Sequence, residues 1–316
     1  MKWLYIGIIV FLLIIISYTG RTVYVYLNAA QLDFDAAYGW KQPLQLPSGY
    51  NIDYNMGFDG ISRIETYSRF CAPDQTAKSE ILNKSSWGDR KQATFDQNTG
   101  EVYEGIVDSR TFNLDGKKYL IGVRENFEKL LDYKTKIVVV DMNSKEETEL
   151  KYDKQAKIEK NWIPFTHKGK LYFSYSIHPH HVVLRCDLSN GECKKVHETS
   201  TDLHFYAPHL RGTSNLVERA DHFLGLAHFH VRSFINVVGL KYFHTFYKME
   251  KTPPFNITVA KKYFSFPCSN DALCNVQFAM ALELMEDGKM HIGYGEGDCK
   301  NNVSVLPIAD IEKTFE

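Results

Sequence analysis

The sequence has no surplus of either charge. Its 316 residues carry 37 Lys and Arg against 38 Asp and Glu, a formal net charge of −1. A nucleic-acid partner is therefore not expected, since such binders displace counterions with a basic excess. Several catalytic signatures are missing too. No P-loop and no G-x-S-x-G elbow occurs, which removes those routes to phosphate cradling and serine attack. Twelve histidines invite a metal. Yet His178, His180 and His181 in HPHH, and His228 with His230 in HFH, have no carboxylate at ligand spacing. No metal site is expected. GYGEG (293–297) imitates a dinucleotide fingerprint, but Asp298-Cys299-Lys300 follows where an apolar helix would have to start. Helical periodicity is scarce, and only FEKLLDY (127–133) and PIADIEKTF (307–315) suggest helices.

Aromatic β-formers are abundant, with 19 Tyr and 20 Phe. Short alternating runs are punctuated by Gly, Asn and Asp. NLDGKKYLIGV (113–123), THKGKLYFSYSI (166–177) and LMEDGKMHIGYG (284–295) each place Gly-Lys before an alternating strand. KIVVVDM (136–142) and FLGLAHFHV (223–231) read as fully buried strands. This recurring strand–turn–strand texture from about residue 50 onward indicates an all-β fold. Periodicity leaves two forms open, a propeller of about five four-stranded blades and a β-sandwich with long insertions.

Residues 3–20, WLYIGIIVFLLIIISYTG, contain no charge and suffice for a bilayer span. They read as an uncleaved signal anchor, the alternative being a cleaved signal peptide and a secreted chain. Residues 21–48 follow as a short stem or a first strand. Six cysteines and three N-x-S/T sequons, at Asn83, Asn256 and Asn302, fit an oxidising lumen. CDLSNGEC (186–193) reads as a hairpin with facing cysteines, and CSNDALC (268–274) could close a loop likewise. The expected arrangement is a type II membrane protein whose body faces the ER or Golgi lumen.

Acids, amides, aromatics and cations at strand ends make up the equipment of a sugar site. They lie in GIVDSRTF (105–112), IEKNWIPF (158–165), LRGTSNLV (210–217) with FLGLAHFH (223–230), and YGEGD (294–298). In order, these stretches resemble glycoside hydrolase family 130, the β-mannoside phosphorylases and hydrolases, and the related β-1,2-mannosyltransferases that use a nucleotide sugar. GIVDSR is similar to that family's Glu-Asp-Pro-Arg motif, with Val107 in place of Glu and Ser109 in place of Pro.

The resemblance spans roughly residues 50–312 and implies a five-bladed β-propeller with its site at the mouth of the central channel. It implies an inverting enzyme, here behind the expected membrane anchor, acting on an oligosaccharide or glycoconjugate, with phosphate or a nucleotide sugar as co-substrate and no other cofactor. A hydrolase and a non-catalytic glycan-binding propeller are the alternatives. It makes Asp108 the general acid, with Arg110 orienting it or holding an anion. Asn55, Arg69, Asn161, Tyr294 and Asp298 become sugar contacts, with Asp298 ending the innermost strand of the last blade. Lys160, His178 and His228 become the phosphate or nucleotide contacts.

Overall fold

The computed structural model describes residues 20–39, 46–50, 52–65, 91–126, 134–232, 240–268 and 275–316, together with positions 10, 13, 16 and 17. The strands form five antiparallel sheets. Blade 1 holds β2 (Ile52–Tyr54), β3 (Ile61–Glu65), β4 (Gln92–Asp96) and β5 (Glu101–Glu104). Blade 2 holds β6 (Ile106–Leu114), β7 (Lys117–Asn126), β8 (Lys134–Asp141) and β9 (Glu147–Leu150). Blade 3 holds β10 (Ile163–His167), β11 (Lys170–Ser176), β12 (His180–Cys186) and β13 (Cys193–Ser200). Blade 4 runs from β14 (Arg211–Gly212) through β16 (His222–Arg232) and β17 (Leu240–Glu250) to β18 (Ile257–Val259), with β15 (Val217–Glu218) also on β16. Blade 5 holds β19 (Gln277–Leu284), β20 (Lys289–Glu296) and β21 (Lys300–Pro307), and β1 (Ala36–Gly39) completes it. The architecture is the five-bladed propeller, and the sandwich is excluded.

The first strand therefore lies within residues 21–48. Ala36 pairs Val305 and Gly39 pairs Asn302, so the chain's beginning supplies the outer edge of its last blade. Residues 20–27 are helical and packed on the body: Val25 is fully buried, and Tyr263 Oη donates to its carbonyl at 2.9 Å. Among the described residues no helix is long and apolar enough to cross a membrane. The anchor expected over residues 1–20 falls almost wholly outside them, as does the helix expected over 127–133. The C-terminal helix is present at Ile308–Glu312. Cys186 and Cys193 face each other across β12 and β13 and form a disulfide. Cys268 and Cys299 each take part in a disulfide as well, while Cys71 and Cys274 lie outside the described residues.

Blades are covered on both faces. On β11, Leu171 and Phe173 pack with Val107 and Ile121 of blade 2. Tyr172, on the opposite face, packs with Phe229 and Tyr247 of blade 4. The seam between blades 5 and 1 uses amides. Asn301 Oδ1 accepts from Met56 N at 3.0 Å, and its Nδ2 donates to the Asp53 carbonyl at 3.3 Å. Asn55 lies across Gly295, where a Cβ would sit 2.0 Å from Asn55 Oδ1. That close approach accounts for the small residue in GYGEG.

Asp53 is buried at this seam, and burial raises its carboxyl from 3.8 to about 6. Its folded state thus prefers the proton: the contribution to stability is complete below about 4 and is lost as pH rises through about 6. Asp53→Asn is expected to stabilise the fold at pH 7–8 by about 1–3 kcal/mol, with the gain gone near pH 4. Urea unfolding at the two pH values checks this; an equal effect at both removes the linkage.

Candidate active site

Three successive inner segments each carry an Asx residue in the left-handed region, evenly spaced along the chain: Asn55 at φ 54°, Asp108 at 53° and Asn161 at 63°. Short polar side chains tolerate this conformation best, so the residue type follows from the backbone as well as from any chemistry. At Asp108 the cause is a bulge. Val107 pairs Val123 and Arg110 pairs Ile121, leaving Asp108 and Ser109 opposite Gly122 alone. A Cβ on Gly122 would lie 2.6 Å from Ser109 Oγ and 2.4 Å from Ile106 Cγ2, so the bulge needs glycine beneath it. Bulges of this kind re-aim a side chain.

The re-aimed Asp108 enters a closed ring of hydrogen bonds. Arg63 Nη1 donates to Asp108 Oδ1 at 2.7 Å, and its Nη2 donates to Gln92 Oε1 at 2.6 Å. Gln92 Nε2 donates to Glu125 Oε2 at 2.7 Å. Lys160 Nζ donates both to Glu125 Oε1 and, at 3.2 Å, to Asp108 Oδ2. Glu65 braces Arg63 from outside, accepting from Nε at 2.8 Å. Burial opposes ionisation of Asp108, but Lys160 and Arg63 outweigh it and hold the carboxyl well below the usual carboxylate range. Burial likewise opposes ionisation of Glu125, and Lys160 and then Arg63 again outweigh it.

Arg110 lies beneath the ring. Its Nε donates to Thr213 O at 3.0 Å, Nη1 to Asp108 O at 3.0 Å and Nη2 to Asn161 Oδ1 at 3.3 Å. Nη2 also reaches Thr213 O and Met280 Sδ. Burial pulls its pKa down to about 10, with Asp108 pulling the other way. Of its two expected tasks, orienting Asp108 fits this geometry. Holding a substrate anion does not, because the guanidinium is buried among protein acceptors. Arg110 also lines a channel cavity of about 150 Å³, shared with Phe58 and Asp59 of blade 1 and Met280 of blade 5.

The remaining expected contacts scatter. His228 on β16 is buried, with its ring 5.7 Å from Tyr242 and 5.0 Å from Phe278. Burial pushes its pKa down to about 3, helped by His230 and Arg110, so it is neutral and does not serve as a cationic phosphate contact. His178 turns to the blade 3–4 seam, where Nδ1 meets Thr201 O at 3.2 Å. Tyr294 is core: 2% exposed, stacked on Phe266 and bonded through Oη to Pro267 O. It has no surface left for a sugar. Asp298 does not end the innermost strand; it sits half-buried in the turn between β20 and β21, at φ 52°. Asn55 belongs to the blade 5–1 seam. Arg69 lies outside the described residues. The structure thus brings together Asp108, Arg110, Lys160 and Asn161. It adds Arg63, Glu65, Gln92 and Glu125, which sequence reasoning missed. They lie within ordinary mixed strands, as in ISRIE (61–65) and GVREN (122–126), and carry no local signal of a site.

Arg110→Met is expected to destabilise the fold by about 2–4 kcal/mol, because buried carbonyls lose their donor. Chemical denaturation reads this directly, and a change below about 0.5 kcal/mol removes Arg110 as a structural pin.

No protein-family model and no curated protein matches the sequence. Solved structures do. A mannose phosphorylase from Leishmania mexicana, in complex with phosphate ion, aligns with a TM-score of 0.56 at 12% identity, covering 94% of each chain. The β-1,2-mannobiose phosphorylase from Listeria innocua aligns at 0.53 and 12% identity, over 89% of this chain and 99% of that one. A GDP-Man-dependent mannosyltransferase from Leishmania mexicana aligns at 0.53 and 11% identity, over 88% and 90%. The five-bladed propeller of this chain is the fold shared by family 130 β-mannoside phosphorylases and related mannosyltransferases.

Proposed function

We propose that this chain is an inverting carbohydrate-active enzyme that moves a mannosyl unit between a glycan and an anionic co-substrate, inorganic phosphate or a nucleotide sugar. The observation that carries this reading is the double cation clamp on Asp108 by Arg63 and Lys160. Lys160 is the clamp's more open side, with 30% of its side chain exposed against 11% for Arg63, so an entering anion meets it first. The Asp108–Glu125 pair does not suit direct inverting hydrolysis. Asp108 and Glu125 bond the same ammonium, which leaves less than the roughly 6.5–9.5 Å gap of an inverting hydrolase. In the transfer, the donor's glycosidic bond breaks as the acceptor attacks the opposite face of the sugar. The proton that the acceptor gives up passes to the leaving oxygen by way of a sugar hydroxyl held by the ionised Asp108, and Arg110 holds the Asp108 backbone in place. The names of the structural neighbours, mannose phosphorylase and GDP-Man-dependent mannosyltransferase, support the substrate class.

A second reading, a glycan-binding propeller without turnover, is favoured by two features. Val107, fully buried, stands where the resemblance expects a Glu, and Asp108 is held ionised. Incubating the chain with mannosides plus phosphate, or with GDP-mannose plus mannosides, separates the two. Consumption of a donor that Asp108→Asn lowers by at least about 100-fold supports transfer. Sugar binding with no consumption under either condition establishes the second reading.

We also propose a lumenal, membrane-anchored location, from the uncharged run at residues 3–20, the disulfides and the Asn256 sequon. Asn256 is exposed beside β18, whereas Asn302 is 7% exposed and bonded through Nδ2 to Glu296 at 2.8 Å. Expressed in eukaryotic cells, the chain is expected to carry an N-glycan at Asn256 and none at Asn302. Glycopeptide mass spectrometry checks both, and an unmodified Asn256 counts against the lumenal location.

A further inference from the structure

The helical residues 20–27 leave no slack between the uncharged run and the propeller. The described positions within the run, 10, 13, 16 and 17, are helical as well. A rise of about 1.5 Å per residue puts the fully buried Val25 about 8 Å from Gly20, where the run ends. Tyr263 fixes the exit of the helix: its Oη donates to Val25 O at 2.9 Å, and its carbonyl accepts from Ala30 N at 2.8 Å. The stem expected from Arg21 onward therefore begins as a fixed joint.

This joint sits at the end of the propeller that carries Asp108. Asp108 is the third residue of β6, and Lys160 stands just ahead of β10, so the inner strands begin at that end. Arg211, the first residue of β14, pairs with Glu159 at 3.4 Å and shares that level. β16 runs antiparallel to β14 with His228 opposite Arg211, so its residues beyond His228 continue toward the same end. There Phe229 and Val231 pack in one cluster with Val25, and the Tyr26 and Phe243 rings meet edge-on with centroids 5.6 Å apart. Arg21 lies over the ring of Tyr206 at 5.3 Å, in the link from Ser200 to Arg211. Exposed apolar side chains gather here too: Val23, Tyr24 and Leu27 on the helix, Tyr206 on the link, and Ile158 two positions before Lys160. Among the described residues of the propeller, Met285 in the β19–β20 turn is the one large exposed apolar side chain at the opposite end. Aromatic and apolar side chains beside a cation, directly after an uncharged run, suit the headgroup layer of a bilayer.

We propose that the mouth of the channel faces the bilayer and that the anionic co-substrate is a lipid phosphate that carries mannose at the membrane surface. This rests on the mannosyl transfer and the anchored location proposed above, and deepens them by naming the carrier of the anion. The bond between mannose C1 and the phosphate oxygen breaks as the acceptor hydroxyl oxygen bonds C1 from the opposite face. The acceptor's proton passes to the released phosphate, which leaves as a lipid phosphate monoester. A phosphate leaves without prior protonation, so the step is compatible with an Asp108 that stays ionised.

The full chain reconstituted in phospholipid vesicles tests this in two arms. The first compares mannosyl phosphate on a long isoprenoid alcohol, held in the vesicles, with GDP-mannose and with soluble mannosyl phosphate, each beside a soluble mannoside acceptor. Confinement to one surface raises effective concentration, so the lipid donor is expected to be consumed at least about tenfold faster at equal bulk concentration. The second arm uses Tyr206→Trp and Met285→Trp with phospholipids brominated high on the acyl chain. The tryptophan at 206 is expected to lose most of its emission and the one at 285 to keep it. Quenching at 206 no greater than at 285 overturns the inference and leaves anchored transfer standing. Soluble donors consumed as fast as the lipid donor have the same consequence. No consumption of any donor overturns both this inference and the transfer reading. A chain that does not enter vesicles overturns both this inference and the anchored location.

Discussion

A single buried guanidinium ties the centre of the molecule together. Arg110, 5% exposed, sits on the inner strand of blade 2 and bonds the Asp108 carbonyl, the Asn161 amide of blade 3 and the Thr213 carbonyl of blade 4. A propeller's inner strands do not pair with one another, so their separation around the axis depends on side chains. The planar fork of arginine suits this position because its donors point in fixed directions and can reach several acceptors at once. A buried cation without those acceptors would be strongly disfavoured. The bulge at Asp108 and Ser109 therefore stays where it is, and everything aimed by that bulge stays with it.

Above Arg110 the electrostatics follow from mutual compensation. Asp108, Glu125 and Glu65 face Arg63 and Lys160 at short range in a largely desolvated place, where each contact counts for more than it would in water. Satisfied in this way, the cluster is rigid and ionised. Its least buried member is Lys160, with 30% of its side chain exposed.

Much of the fold was legible before any coordinates. β10 and β11, the long strand β16 and the Cys186–Cys193 hairpin all lie where turn chemistry and apolar runs indicate. The choice between propeller and sandwich was harder, because β11 buries both of its faces and periodicity reports burial only when one face is wet. At the site, Asp108, Arg110, Lys160 and Asn161 stand next to strand starts that carry recognisable short motifs. Arg63 and Glu125 do not. Each sits inside an ordinary-looking strand, and its meaning comes from partners 45 and 35 positions away in the sequence. Tyr294 and His228 misled for the opposite reason, since aromatic and imidazole side chains look equally suited to a ligand and to a core.

What the sequence alone determined is local: where strands begin and end, and which cysteines face each other across one hairpin. What only the tertiary structure decided is charge state and company. Asp108 is a clamped carboxylate, His228 a neutral ring and Tyr294 a core residue because of what neighbouring blades place against them. Burial and the distance to an opposite charge, the quantities that set a group's proton affinity, are properties of the assembled blades.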